Sequence, residues 1–242
     1  MNYTRIVLNA FQTAAKTIAL SAALIAALAV TTALISAEPR NYSASIVKVL
    51  NFEGTGGGTG WIAKSGDQNV IVTNHHVCEV ARGGYARIED DQGQPYIKRV
   101  LRSSFERDLC VLEGIEGRAM KLAKAGPNRF DTVNVYGHPG LRPTAPATGA
   151  YTGPGIIGLG LQPDENGQCP ASAERVPTMF GVFCVLDIEI GYTTVPIMPG
   201  NSGSPVTNEN GEVVGVMNSA DTTGNQGMFI PLPYVKEILG NQ

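Results

Sequence analysis

Beyond residue 44 the apolar residues gather in short β-rich runs, each bounded by Gly, Asp or Ser, and this rhythm predicts strands rather than helices. A first set covers residues 45–52, 59–63, 69–73, 85–89, 95–101 and 109–113. Residues 114–129 lose the pattern and read as a connector. A second set follows at 132–136, 148–157, 182–189, 205–207, 212–217 and 226–231, and 233–239 reads as a short closing helix. The stretch from Thr144 to Arg175 is rich in Gly, Pro and Ala and reads as extended loops. No internal repeat is visible. The 29 glycines and 15 prolines, against few aromatic residues, suit short strands joined by many turns. At 242 residues, such a chain forms one large unit or two small ones.

Residues 1–37 depart from this rhythm. Thr17 to Ala37 is uncharged, rich in Ala, Leu, Ile and Val, and preceded by Arg5 and Lys16. Ile35-Ser36-Ala37 resembles a signal-peptidase site, which favours a cleaved signal. The same 21 residues also suffice to cross a bilayer as a helix, which leaves a membrane anchor open. In both cases the basic residues precede the apolar stretch, so the remainder belongs outside the cytoplasm, periplasmic, secreted or tethered. The net charge is −3, and because residues 1–37 hold two cations and no acids, the remainder carries −5. That balance argues against a nucleic-acid surface.

Three segments carry chemistry. Pro199-Gly200-Asn201-Ser202-Gly203-Ser204-Pro205 holds a serine between glycines, which suits a nucleophile on a tight turn with backbone N–H groups converging beside it. The run Val70 to Thr73 stops at Asn74-His75-His76, and Asp108 opens the apolar run Leu109 to Leu112. Serine becomes nucleophilic when an imidazole takes its proton, and the imidazole needs a carboxylate to fix its tautomer. Asp90, Asp91 and Asp131 compete with Asp108, but none opens an apolar run. The order His, Asp, Ser excludes the Ser, Asp, His order of α/β-hydrolases.

Seven segments in order extend the pattern: Gly56 to Ile62, Thr73 to Val77, Asp108 to Leu112, Tyr136 to Gly140, Gly200 to Val206, Gly211 to Val216 and Gly227 to Pro231. Together they resemble the trypsin-like (chymotrypsin-fold) serine proteases of bacterial type, nearest the HtrA/Deg group and the secreted glutamyl endopeptidases. The resemblance implies an all-β fold of two six-stranded antiparallel barrels, with the short C-terminal helix and an N-terminal hydrophobic signal or anchor helix. The expected organisation is 1–37 for export, 38–120 for a first barrel bearing His and Asp, and 121–242 for a second bearing Ser. It selects His76 over His75 and assigns the catalytic roles to His76, Asp108 and Ser202, with the N–H groups of Gly200 and Ser202 as oxyanion hole. Asn201 stands where pancreatic-type enzymes have an aspartate that binds a new N-terminus, so activation by that route is not expected. HtrA/Deg enzymes usually carry a PDZ domain after the protease, and none is expected after Leu239, so the resemblance is to the protease portion of those enzymes.

By the same resemblance Val195, Pro196, Ile197, Met217, Asn218 and Ser219 form the primary pocket and the strand that pairs with substrate. No carboxylate lies between Thr193 and Met198, and Ile197 and Met217 look like the positions where glutamyl endopeptidases carry Thr and His. A small or medium apolar residue is therefore expected at the cleaved position, with Asp221 keeping a basic preference open. Four cysteines allow three pairings. Cys169 with Cys184 flanks a loop, while Cys78 and Cys110 each sit two residues past a triad position and form either a disulfide or two buried thiols. A zinc site of His75, His76 and Cys78 lacks a familiar ligand spacing, and no metal or cofactor is expected. His138 reads as a loop residue. Protein or peptide substrates are the expected partners, with membrane contact through 17–37 open and the oligomeric state not indicated. The competing classes are an inactive chymotrypsin-fold binding protein and a structural envelope protein.

Overall fold

The computed structural model describes residues 42–161 (backbone only at 159–161), 166–169, 171–178, 181–220 and 226–240. The export segment 1–37 and Asp221 lie outside the described residues. Six strands make the first barrel: β1 Ile46–Leu50, β2 Gly57–Ser65, β3 Gln68–Thr73, β4 Tyr85–Glu89, β5 Pro95–Ser104 and β6 Leu109–Glu113. They close into the expected six-stranded antiparallel barrel, and the strand order is β1–β2–β3–β6–β5–β4.

The continuous apolar runs of β3 and β6 have a simple cause. Successive side chains alternate between the two faces of a strand, and here both faces are covered. Ile71, Cys110 and Leu112 join Val47, Val49, Ile62 and Ile88 in one cluster. Val70, Val72, Leu109 and Val111 face the opposite way and pack with Ile188, Ile190, Val216 and Ile230 of the second sheet. Full burial of each such side chain contributes about 1.5–3 kcal/mol. Because β3 and β6 are held from both sides, the residues at their ends, where the candidate site sits, are anchored.

The second sheet has seven strands: β7 Thr132–Gly137, β8 Ala145–Leu161, β9 Glu174–Thr178, β10 Gly181–Thr193, β11 Pro205–Thr207, β12 Val213–Ala220 and β13 Gly227–Pro231. The order is β13–β12–β11–β7–β8–β10–β9, and β13 also pairs with β10 through Gly191↔Phe229. Six strands thus form a ring, and β9 hangs on β10 as an addition to the expected six. Val133, Val135, Val195, Val206, Val214, Met217, Phe229 and Leu232 form a cluster of their own in this half.

Within the stretch Thr144 to Arg175, the strand expected at 148–157 is present and longer than expected, since β8 runs from Ala145 to Leu161. β8 and β10 pair continuously from Cys184↔Leu161 to Tyr192↔Gly153. The Gly and Pro residues of β8 mimic turn punctuation, but pairing with β7 and β10 overrides propensity. A one-turn helix α1 (His75–Cys78) follows β3, and α2 (Leu232–Leu239) closes the described fold, seated by buried Leu232, Val235 and Leu239. Two disulfides form, Cys78–Cys110 and Cys169–Cys184. Among the described residues no helix is long and apolar enough to cross a membrane.

Candidate active site

β3 ends at Thr73, and Asn74 turns the chain into α1, presenting His76 beside the first residues of β6. Asp108, immediately before β6, is 5% exposed and has a left-handed backbone (φ 46°). Aspartate tolerates this region better than most side chains. The turn is fastened at both ends, since Asp108 N–H donates to the Phe105 carbonyl (3.1 Å) and Asn74 Nδ2 donates to the Asp108 carbonyl (2.9 Å). The carboxylate then grips His76 twice. His76 N–H donates to Oδ1 at 2.9 Å, and His76 Nδ1 lies 2.8 Å from Oδ2. With Asp108 ionised, Nδ1 carries the proton and Nε2 keeps its lone pair.

Burial works against the charged imidazolium of His76, but the hydrogen bond and charge of Asp108, helped by Glu79, outweigh it and raise the pKa above 6.5. The neighbour His75 is otherwise engaged, with Nδ1 2.6 Å from Ser103 Oγ and its ring edge-on to Phe105. Asp90 accepts from the Gln92 and Gln94 N–H groups and from Tyr96, and Asp131 accepts from Asn128, so neither meets His76. His138 is buried in its loop with Nδ1 2.8 Å from the Arg142 carbonyl, and burial lowers its pKa.

Ser202 shares with His76, Asp108 and Asn218 a cavity of about 390 Å³ that is also walled by Phe105, Ile157 and Ile188. Its hydroxyl donates to the Asn218 carbonyl at 2.8 Å and makes no hydrogen bond to His76. Asn218, expected from the sequence only on the strand that pairs with substrate, makes contacts that sequence reasoning did not anticipate. A β-bulge between Met217 and Ser219 leaves it without a partner on β13. Its carbonyl meets Ser202, while its Nδ2 donates to Asp108 Oδ2 at 2.5 Å and its Oδ1 accepts from Ser219 Oγ at 2.7 Å. Bulges re-aim side chains in this way beside active sites. A lone Asn in a strand gives no sequence signal of it.

The loop carrying Ser202 is built around two positive-φ glycines. Gly200 has φ 95°, and a Cβ there would lie 2.3 Å from the His138 carbonyl oxygen; Gly203 has φ 86°, and a Cβ would lie 2.0 Å from the Thr59 carbonyl oxygen. No larger residue fits either place. Four consecutive carbonyls are held: Pro199 by Gly140 N–H (2.7 Å), Gly200 by Thr59 Oγ1 (2.7 Å), Asn201 by Ser204 N–H (3.0 Å) and Ser202 by Thr59 N–H (2.8 Å). The N–H groups of Gly200 and Ser202 have no acceptor among the described residues.

Of the expected pocket residues, Val195 and Met217 are fully buried in the core of the second sheet, so their side chains stand behind the wall and do not face solvent. Met217 instead acts through its backbone, accepting from Gly203 N–H and donating to the Ser204 carbonyl, both at 2.8 Å. Ile197 is half-buried, Pro196 is exposed, and Ser219 reaches the cavity beside His76.

This fold, a closed six-stranded barrel beside a ring-like second sheet, has counterparts among known proteins. Residues 58–216 match the family described as "Trypsin-like peptidase domain", and the chain belongs to that family. Its curated relatives are serine proteases of the HtrA group. The serine protease Do-like HtrA of Bacillus subtilis is 27% identical over 192 residues, covering 76% of this chain and 38% of that protein. A probable periplasmic serine endoprotease, DegP-like, of Chlamydia trachomatis is 29% identical over 176 residues, covering 70% of this chain and 29% of that protein. The chain therefore spans well under half the length of either relative, 38% of the first and 29% of the second. Among solved structures, the active form of the Rv3671c protease from M. tuberculosis superposes with a TM-score of 0.62 at 20% identity, covering 83% of this chain and 81% of that one. The serine endoprotease from Yersinia pestis gives 0.62 at 19% identity, covering 83% and 63%. These likenesses show the shared fold.

Proposed function

We propose that the protein is a serine endopeptidase acting on exported proteins, with Ser202 as nucleophile, His76 as general base and Asp108 as the carboxylate that orients it. The observation that carries this reading is the double hydrogen bond from His76 to Asp108 at 2.8 and 2.9 Å, facing a cavity that contains Ser202. Asp108 fixes the tautomer in which Nε2 is the acceptor and steadies the imidazolium once it forms. For attack, the Ser202 hydroxyl leaves the Asn218 carbonyl and turns toward Nε2. A substrate strand pairing with Asn218 and Ser219 supplies an N–H for that carbonyl and drives the turn.

Attack on the scissile carbonyl forms the Ser202 Oγ–carbon bond while His76 takes the hydroxyl proton. The oxyanion is received by the free N–H groups of Gly200 and Ser202, a type of donor worth about 10²–10³ in rate. His76 then gives its proton to the leaving amine, and water hydrolyses the acyl-enzyme by the same steps. Half-buried Ile197, and the absence of a carboxylate between Thr193 and Met198, favour a small or medium apolar residue at the cleaved position. The segment 38–120 supplies His76 and Asp108 and 121–242 supplies Ser202. Two disulfides and a relative described as periplasmic support a site of action outside the cytoplasm, with residues 1–37 as the export segment.

The test is labelling of the full chain by a fluorophosphonate, as wild type and as Ser202→Ala. Labelling of wild type alone is expected. Unlabelled, folded wild type would put the inactive binding protein in its place, with Ser202 latched on the Asn218 carbonyl.

A further inference from the structure

Thr59 lies in β2 of the first barrel, wholly buried between Gly58 and Gly60, and takes no direct part in the proposed chemistry. It nevertheless makes two hydrogen bonds to the loop of Ser202. Its N–H donates to the Ser202 carbonyl at 2.8 Å, and its hydroxyl donates to the Gly200 carbonyl at 2.7 Å. The same hydroxyl accepts the N–H of His138 at 2.9 Å, which orients its proton toward Gly200. Thr73 Oγ1 donates to the Thr59 carbonyl at 2.6 Å, so Thr59 is itself fixed to the strand that ends before His76.

The consequence follows from peptide planarity. In a trans peptide the C=O and N–H vectors oppose one another, so pinning a carbonyl aims the next N–H. Thr59 pins the 200–201 and 202–203 peptides, the two that flank the 201–202 peptide whose N–H belongs to Ser202. Gly140 pins the Pro199 carbonyl and so aims the Gly200 N–H. With positive φ at Gly200 and Gly203, this backbone has other accessible conformations, and a 180° turn of one peptide would put a carbonyl where an oxyanion must sit. We propose that Thr59 is a positioning residue for the oxyanion hole, its hydroxyl holding the Gly200–Asn201 peptide in the orientation that leaves the Gly200 and Ser202 N–H groups converged and free. The inference rests on the catalytic reading of Ser202.

The experiment compares wild type, Thr59→Val and Thr59→Ser as full chains, on peptide substrates and on a peptidyl boronic acid that forms a tetrahedral adduct with an active serine. Thr59→Val keeps the shape and removes the hydroxyl. It is expected to lower kcat about 10–100-fold, less than outright loss of an oxyanion donor, with KM within about twofold. Boronate affinity should fall in proportion to kcat/KM, while Thr59→Ser recovers most of both. If Thr59→Val does not fold, Thr59→Cys, a weak donor of similar size, should show the same kcat loss. A role in stability alone would lower Tm and leave kcat and boronate affinity at wild-type values well below Tm; that result overturns the proposal, as does a Thr59→Ser variant as impaired as Thr59→Val. Fluorophosphonate labelling of wild type separates the two failures: labelled enzyme with an unaffected Thr59→Val removes this role alone, whereas unlabelled wild type removes the catalytic reading and this role with it.

Discussion

The side-chain amide of Asn218 donates to the same Oδ2 of Asp108 that faces His76 Nδ1, at 2.5 and 2.8 Å respectively. Asp108 is buried, and a buried carboxylate needs its lone pairs satisfied. A hydrogen bond to a charged group contributes about 1.5–3 kcal/mol, so removing this one leaves Asp108 less firmly placed against His76. Asn218→Ala should therefore lower kcat at least about tenfold with little change in KM. Asn218→Asp should be worse, because two carboxylates at this distance cannot both ionise and the proton they share competes with His76. Steady-state kinetics of both variants against wild type decide this; an Asn218→Asp enzyme as active as wild type would remove the role.

The raised pKa of His76 makes a pH prediction with opposite signs for activity and stability. A general base works when neutral, so kcat/KM should climb through a pKa above 6.5. The stabilisation that His76 gains from Asp108 belongs to its protonated form. It is fully present below 6.5 and lost as pH rises through the folded pKa. His138, whose pKa burial lowers, contributes the reverse: stability present above 6.5 and lost as pH falls through its folded value. The Tm difference between wild type and His76→Gln, followed against pH, isolates the first effect and should shrink upward through that pKa. Glu79→Gln should move the activity limb slightly down, and less so in high salt, since its side chain is 66% exposed. An activity limb below 6.5 would contradict the assignment.

These groups differ in how visible they were in the sequence. His76, Asp108 and Ser202 announced themselves because each ends or opens a run that local physics makes apolar: Val70 to Val72, Leu109 to Leu112, and the Gly-Ser turn before β11. The first barrel was legible for the same reason, since strands covered on both faces carry unbroken apolar runs. The ribbon of β8 and β10 was legible only in part: 148–157 and 182–189 read as strands, but the extension of β8 through Gly158 to Leu161 lies among Gly residues that read locally as loop and that only pairing with β10 makes extended. Thr59 and Asn218 were missed as supporting groups because their partners lie 141 and 110 residues away, and single polar residues in strands leave no periodic trace. The burial of Val195 and Met217 is likewise a tertiary fact that a pocket expectation built on chain position does not contain.

The two disulfides should separate stability from catalysis. Cys78–Cys110 spans 32 residues and Cys169–Cys184 spans 15, so by loop-closure entropy each contributes about 3–4 kcal/mol. Only the first joins α1, carrying His76, to β6 just after Asp108. Cys78→Ala/Cys110→Ala should lose both stability and several-fold in kcat, while Cys169→Ala/Cys184→Ala should lose stability with kcat near wild type. Denaturant titration and kinetics at a temperature where both variants are folded test this. Equal kcat for the two double variants would mean that the hydrogen bonds of Asp108 hold the pair unaided.

The cavity beside His76 makes a prediction about substrates that is independent of the cleaved residue itself. In an extended chain successive side chains point to opposite sides. If the substrate strand runs along Asn218 and Ser219 with its cleaved residue toward Ile197, the residue before it points the other way, into the space of about 390 Å³ between Phe105, Ile157 and Ile188. Phe105 is held there by its edge-on contact with His75, at 5.3 Å between ring centroids. Filling such a pocket with a few methylenes discriminates by about 10–200-fold. Peptides with Leu or Phe at that position should therefore be cut at least about tenfold faster than those with Gly or Asp, the gain appearing in kcat/KM. Phe105→Ala should erase most of that preference while leaving the Gly peptide unchanged, because the catalytic groups do not depend on the Phe105 side chain. A positional scan of peptide libraries with both enzymes reads this directly, and a flat profile in wild type would mean that the substrate follows a different path past His76.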